Sequence, residues 1–287
     1  MNKNKLVLFS LFTLLSYSQT WAGKIITDSI QSHVLHAVVK YNVYVPRDFE
    51  KNKQLYPIVY LLHGLYGTYQ DWTKRAYIKE VADELTETQD IVPMVIVMPN
   101  AGNPDVHHVW NGYFNMSGWQ YETFFFSELM PTVEKKYRTF ADKKHRAIMG
   151  LSMGGGASTV YCQQHPELFS SCYAMSPWLD DTIRCSTKEE KDKLYLTKKS
   201  VHEHSAINFI ANANEATKEK LQTIRWFFDC GDDDSFVENT FKVYNLYRKS
   251  HIKAELRIRN GSHNWVYWHS ALKKALPFAS NTFKNIK

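Results

Sequence analysis

The sequence predicts an α/β protein, a mostly parallel, doubly wound sheet flanked by helices. Three observations carry this expectation. Apolar runs recur, as in "PIVYLLHG" at 57–64 and "PMVIVMPN" at 93–100, and a strand apolar along its length has both faces covered. Segments with apolar residues at helical spacing alternate with these runs, an order that builds parallel sheets. At 287 residues the chain is long enough for one large core, and no internal repeat or Pro-rich linker divides it.

Taken in order, "HAVVKYNVYV" at 36–45 is rich in β-branched and aromatic residues and runs up to Pro46, as an early strand does. "PIVYLLHG" is a central strand, 74–87 reads as a helix, and "PMVIVMPN" is the next strand. "YETFFFSELMPTVEKKY" at 121–137 is helical with Pro131 as a local complication, and "HRAIMG" at 145–150 returns to strand. After Ser152 the pattern is helical to Gln164, and "SSCYAMSP" at 170–177 is a further strand. From Trp178 to about Lys220 the chain is polar and irregular, which predicts a cap-like insertion over one end of the sheet. "TIRWFFDCG" resumes the strands, "FVENTFKVYNLYRKS" is amphipathic, "KAELRIRN" alternates as a later strand, and a last helix is expected over 265–284.

The first residues predict a compartment. Lys3 and Lys5 precede the apolar "LVLFSLFTLLSYS", and "TWA" ends at Ala22 with a small-x-small cleavage pattern. We read 1–22 as a secretory signal peptide and 23–287 as a single domain, secreted or periplasmic. About 13 apolar residues are short for a bilayer span. No Cys follows to suggest a lipid anchor, and no later stretch approaches a membrane span.

The net charge of +6 falls by two once residues 1–22 are removed. Scattered lysines of that balance form no phosphate-tracking stripe, so nucleic acid is not an expected partner. Cys162, Cys172, Cys185 and Cys230 allow three pairings of two disulfides in an oxidising compartment. No CxxC spacing suggests zinc.

The chemistry gathers in "HRAIMGLSMGGGAS". Gly150-Leu151-Ser152-Met153-Gly154 fits G-x-S-x-G, a sharp strand-to-helix turn that exposes a serine where a Cβ at either glycine would clash. A short apolar strand before it and a helix after it supply the context this motif requires. No G-K-[ST] follows, so a phosphate loop is excluded. The helix start aims backbone N–H groups, Met153's included, toward the serine.

A serine hydroxyl needs a base, and the base needs a partner that fixes its tautomer. In this arrangement the order is Ser, acid, His, each after a later strand. "RNGSHNWVYW" puts His263 on a Gly-containing turn after the last strand and before the last helix. "FFDCGDDDSF" offers Asp229, Asp232, Asp233 and Asp234 near the end of the preceding strand, and periodicity does not choose among them. "HGLYG" at 63–67 follows the strand "PIVYLL", and the Leu65 amide is the candidate second oxyanion donor. Trp110, Tyr113, Trp119 and Trp265 are candidates for an aromatic wall, with Trp110 and Trp265 assigned to substrate binding. No cofactor or metal is called for.

In these residues and their order, the chain resembles the putative-esterase family of the α/β-hydrolase fold. That group includes esterase D, the antigen 85 mycolyltransferases, and the feruloyl and acetyl-xylan esterases of carbohydrate esterase family 1. Blocks from "YNVYVP" through "YPIVYLLHG", "HRAIMGLSMGG", "HPELFSSCYAMSP" and "CGDDDSF" to "GSHNWVYW" stand in family order. The resemblance implies Asp234, ahead of Asp233, as the acid, and the amides of Leu65 and Met153 as the oxyanion hole. The loop "NAGNPDVHHVWNGYFNMSGWQ", with His107 and His108, and the segment 178–220 depart from the family blocks.

The implied function is a secreted serine carboxylesterase that removes feruloyl or acetyl groups from plant cell-wall polysaccharide or oligosaccharide through an acyl-enzyme. The alternatives are a general short-acyl carboxylesterase, a thioesterase like S-formylglutathione hydrolase, an acyl transferase, or a non-catalytic carbohydrate-binding protein on the same scaffold.

Overall fold

The structure, a computed structural model, describes residues 22–102, 112–181 and 194–284. The chain opens with β1 (Lys24–Gln31), β2 (Val38–Val45) and β3 (Ile58–Leu62). The helices α1 (Asp71–Lys74) and α2 (Ile78–Glu87) lead to β4 (Val95–Pro99). A small hairpin of β5 (Asn115–Met116) and β6 (Trp119–Gln120) precedes α3 (Tyr121–Phe124), a π-helical turn at Phe125–Leu129, and α4 (Met130–Lys136). Then come β7 (Arg146–Leu151), α5 (Met153–Gln164), β8 (Ser171–Met175), α6 (Tyr195–Glu203), α7 (Ala206–Ala211) and α8 (Glu215–Leu221). The chain closes with β9 (Arg225–Gly231), α9 (Val237–Lys249), β10 (Ala254–Arg259) and α10 (Trp265–Lys284).

Eight strands form one sheet in the order β1-β2-β4-β3-β7-β8-β9-β10. β1 and β2 pair antiparallel, β2 meets β4 antiparallel, and all later neighbours are parallel. The mostly parallel, doubly wound arrangement is the one expected. Every residue of β3, β4, β7 and β8 is buried, which is why β3 and β4 read as unbroken apolar runs and β7 and β8 are polar only at Arg146 and Ser171. Ile58, Tyr60 and Leu62 face a core shared with α5 and α9, while Val59 and Leu61 face a second core shared with α2 and α10. A strand's alternating side chains thus serve two layers at once.

At the amino ends of the strands a buried ion pair joins sheet to helix. Arg146 Nε and a second guanidinium nitrogen donate to the Glu134 carboxylate at 2.6 and 2.9 Å, and the Tyr60 hydroxyl donates to it at 2.9 Å. Every partner of this buried carboxylate is a donor, which offsets the cost of desolvating it.

Two differences from the expected elements have physical reasons. β1 went unread: its exposed and half-buried positions alternate, so it carries a weak apolar signal and owes its strand form to the ladder with β2. The stretch 178–220, expected to be irregular, carries three helices from Tyr195 onward. α6, α7 and α8 occupy it, with α7 packed against α5 and α9 in the helical layer. Ser205 and Asn214 cap α7 and α8, their side chains accepting from the amides of Asn208 and Thr217. The three described cysteines, Cys162, Cys172 and Cys230, are buried free thiols. Cys185, Trp110, His107, His108 and nearly all of the expected signal peptide lie outside the described residues. No helix among the described residues is long and apolar enough to cross a membrane.

Candidate active site

Parallel pairing lines up strand ends, and the site grows from that alignment. Leu62 of β3 pairs with Gly150 of β7, so the turns beginning at His63 and at Ser152 leave the sheet side by side. β9 pairs with β10 one side further along, with Gly231 opposite Arg259, so the turns carrying Asp234 and His263 also emerge together. Loops beyond the carboxyl ends of parallel strands are where such sheets gather polar groups.

Ser152 sits between β7 and α5 with φ 54° and ψ −118°. Few L-residues hold that backbone, and it persists here because the surroundings fix it. The Ser152 amide donates to Met175 O, and its carbonyl accepts from the amides of Gly156 and Trp178, each at 2.9 Å. The flanking glycines permit the approach: a Cβ on Gly150 would lie 2.5 Å from Gly154 O, and one on Gly154 would lie 2.5 Å from His63 O.

The His263 turn is held differently. Gly261 has φ +149°, and a Cβ on Gly231 would fall 2.1 Å from Gly261 O. That close approach lets Gly261 N–H donate to Asp232 Oδ1 at 2.9 Å and Asp233 N–H donate to Gly261 O at 3.0 Å. Two loops from neighbouring strands are thereby zipped together.

The result is a continuous series. His263 Nε2 stands 3.0 Å from Ser152 Oγ, and His263 Nδ1 stands 2.8 Å from Asp234 Oδ2. A carboxylate only accepts, so the ring proton belongs on Nδ1 and the Nε2 lone pair faces the hydroxyl. The imidazole is flanked edge-on by Phe236 and Trp268, at centroid distances of 5.2 and 4.8 Å.

Asp234 is 2% exposed, whereas Asp232 and Asp233 are exposed. Burial pushes its pKa up, but hydrogen bonds from His263, from the Phe236 amide at 2.9 Å and from Ser176 prevail, holding the carboxyl below its ordinary range. Asp229 belongs to β9 and is fully buried. It accepts from the hydroxyls of Tyr173 and Tyr267, each at 2.6 Å, and is paired with Arg257. The four acids thus divide into one facing the imidazole, one binding strand to helix, and two on the surface.

The cleft above the series has a volume of about 720 Å³. Leu65, Tyr66, Trp178, Phe236 and Trp265 line it with Ser152 and His263. Gly64 brings the Leu65 turn against the serine, since a Cβ there would stand 3.3 Å from Ser152 Cβ. The Leu65 amide donates to no acceptor among the described residues. Met153 is the first residue of α5, where helical N–H groups lack intrahelical acceptors.

Of the expected aromatic wall, Trp265 lines the cleft, but Tyr113 and Trp119 do not. They are 0% and 3% exposed and belong to the core. Tyr113 donates to His63 O at 3.1 Å, which makes it a brace for the Leu65 turn.

Two further residues escaped sequence reading. Ser176 follows β8, accepts from Trp268 Nε1 at 3.1 Å and hydrogen-bonds to Asp234, tying three elements together. His63 is buried, and its Nε2 accepts from the Ala101 amide at 3.0 Å, so its Nδ1–H donates to Gly64 O at 2.8 Å. Burial pushes this imidazole's pKa down to about 4 against the pull of the Gly64 carbonyl, and it stays neutral. The signals were a polar residue directly after an apolar strand in each case, at "LLHG" and "YAMSP". Among the described residues no cluster of His, Cys, Asp and Glu is arranged to hold a metal ion.

A family model described as "Putative esterase" matches residues 32–279. The chain is 25% identical over 250 residues to an endo-1,4-beta-xylanase/feruloyl esterase of Xylanibacter ruminicola, covering 85% of this chain and 29% of that one. It spans under a third of the length of the curated relatives it matches first. A solved ferulic acid esterase superposes with a TM-score of 0.87 at 41% identity, over 92% of this chain and 99% of that one. An S-formylglutathione hydrolase from Agrobacterium tumefaciens shares the α/β-hydrolase fold, with a TM-score of 0.72 at 20% identity over 94% and 99% of the two chains.

Proposed function

This chain belongs to the putative esterase family, and on that premise we propose that it is an exported serine carboxylesterase acting on hydroxycinnamoyl esters, feruloyl above all, of plant cell-wall polysaccharide or oligosaccharide. The observation that carries the reading is the hydrogen-bonded series Asp234–His263–Ser152 at the floor of an aromatic cleft. Likeness to a ferulic acid esterase at 41% identity supports the acyl group. Cleft volume argues the same way, because about 720 Å³ is far more space than an acetyl group fills. Export rests on the amino-terminal pattern of the first 22 residues.

In the proposed reaction Ser152 Oγ attacks the ester carbonyl while His263 Nε2 takes its proton, and Asp234 steadies the resulting imidazolium. The amides of Leu65 and Met153 hold the oxyanion of the tetrahedral intermediate. His263 then returns the proton to the departing sugar hydroxyl, leaving a Ser152 ester. Water, deprotonated by the same imidazole, attacks this ester and releases the acid.

A panel of methyl ferulate, acetylated xylan, p-nitrophenyl acetate and S-formylglutathione tests the substrate. Methyl ferulate is expected to show the highest kcat/KM among them. Turnover confined to p-nitrophenyl acetate would contradict the assignment, and turnover confined to S-formylglutathione would replace it with a thioesterase.

A further inference from the structure

We propose that Asp71 and Arg75 are the acyl-specificity residues of the cleft: a phenolic hydroxyl donates to the Asp71 carboxylate, and the ether oxygen on the adjacent ring carbon accepts from the Arg75 guanidinium. The inference rests on the hydroxycinnamoyl reading above and names how the acyl group is recognised. Both residues line the cleft that holds Ser152 and His263.

Asp71 opens α1 and lies against the oxyanion turn. A Cβ on Gly67 would stand 2.7 Å from Asp71 Oδ2 and 2.9 Å from His63 Nδ1. Asp71 Oδ2 accepts from the Thr68 amide at 3.2 Å, and no hydrogen bond is formed by Oδ1 among the described residues. An ionised carboxylate has about four acceptor positions. Burial raises its pKa against the pull of the Thr68 amide and of Arg75 and Lys74. A part-buried carboxylate short of donors gains from a ligand that brings one.

Arg75, four residues on, returns to the same side of the chain. Its guanidinium carbon lies 4.8 Å from the centroid of the Trp265 ring. Trp72 and Trp268 hold that indole edge-on, at 5.4 and 5.3 Å. Arg75 forms no ion pair among the described residues, so stacking fixes the guanidinium while leaving its N–H edge unused.

The pair therefore offers an acceptor and a donor four residues apart on the lining of a cleft that Trp178, Phe236 and Trp265 also line. A 4-hydroxy-3-methoxyphenyl ring offers the complement, one donor beside one acceptor on neighbouring carbons. An acetyl group offers neither.

The test compares kcat/KM for methyl ferulate, 4-hydroxycinnamate, 3,4-dimethoxycinnamate and p-nitrophenyl acetate in the wild type, Asp71→Asn, Arg75→Gln and Arg75→Lys. The wild type is expected to favour ferulate over dimethoxycinnamate about tenfold or more, the discrimination expected of one hydrogen bond to a charged group. Asp71→Asn should bring that ratio close to one. Arg75→Gln should erase the advantage of ferulate over 4-hydroxycinnamate, with partial recovery in Arg75→Lys. Equal losses on all four esters in Asp71→Asn, with the ratio preserved, would make it a loop brace and overturn the proposal. So would a wild type that hydrolyses ferulate and dimethoxycinnamate alike. Turnover of p-nitrophenyl acetate with none of any cinnamate ester would instead remove the substrate reading, and this assignment with it.

Discussion

The turn at Ser152 and the turn at His263 supply the two ends of one hydrogen bond, yet they are held by different means. From Gly150 to Ser158 every residue is buried, and the glycines press backbone on backbone. Around His263 the side chain remains 32% exposed, and the turn depends on hydrogen bonds to Asp232 and Asp233 and on aromatic flanks. The serine's position is thus fixed by fully buried backbone packing, whereas the imidazole's depends on a more exposed turn, held by the approach of Gly231 to Gly261, two hydrogen bonds and aromatic flanks. Substitutions in the first region should cost stability, and substitutions around the second should cost rate.

The sharpest break in this contrast would come from glycine substitutions. A Cβ on Gly156 would lie 2.0 Å from Trp178 O, a backbone atom that cannot move aside, so Gly156→Ala should lose more than about 3 kcal/mol or fail to fold. Gly261→Ala meets the Tyr267 ring at 2.4 Å. It should remain folded, as seen by circular dichroism, with kcat lower by roughly 10- to 100-fold. Equal stability losses in both would erase the distinction.

Next in size is the carboxylate proposed to orient His263. Asp234→Asn should lower kcat by about 10² to 10⁴, because the amide permits the wrong imidazole tautomer. Asp233→Asn should stay within about twofold, since that carboxylate is exposed. Steady-state kinetics on the two variants decides whether burial, rather than position in "GDDDSF", selects the acid.

His63 gives a pH signature of the Ser152 side of the cleft. Its imidazole is held down at about 4, while in the unfolded chain it titrates near 6.5. Between these values the unfolded chain binds a proton that the fold refuses, so stability falls as the pH drops from about 6.5 to about 4, by up to roughly 3 kcal/mol. The Asp234 carboxyl, held low, loses its own contribution as the pH falls, in the same direction. Denaturant unfolding at pH 7 and pH 4.5 should show the decline, flattened in His63→Gln, where the amide keeps both a donor and an acceptor. An unchanged slope in that variant would remove His63 as the source.

The smallest effect runs the other way. Ser152→Gly relieves the φ of 54° and should raise stability by about 1 kcal/mol while abolishing turnover. A thermal melt suffices to see it.

Legibility followed the same division. Ser152 and His263 could be located because each stands on a glycine-marked turn directly after a strand, a local pattern. The apolar β3, β4 and β7 were equally plain. Asp234 could not be separated from its neighbours by residue pattern alone, since what distinguishes it is contact with Ser176 and His263, made by distant segments. Tyr113 and Trp119 read as a wall because composition does not reveal burial. α7 and α8 were missed although "SAIN" and "NEAT" carry their capping residues, because each helix spans under two turns and shows little apolar periodicity.

Covalent labelling by a fluorophosphonate probe, followed by peptide mapping in the wild type and in His263→Ala, bears most directly on the whole account. The wild type should carry the label on Ser152, and loss of the imidazole should slow labelling by several orders of magnitude while the fold is retained. Modification at another serine, or an undiminished rate without His263, would contradict the mechanism drawn from this geometry.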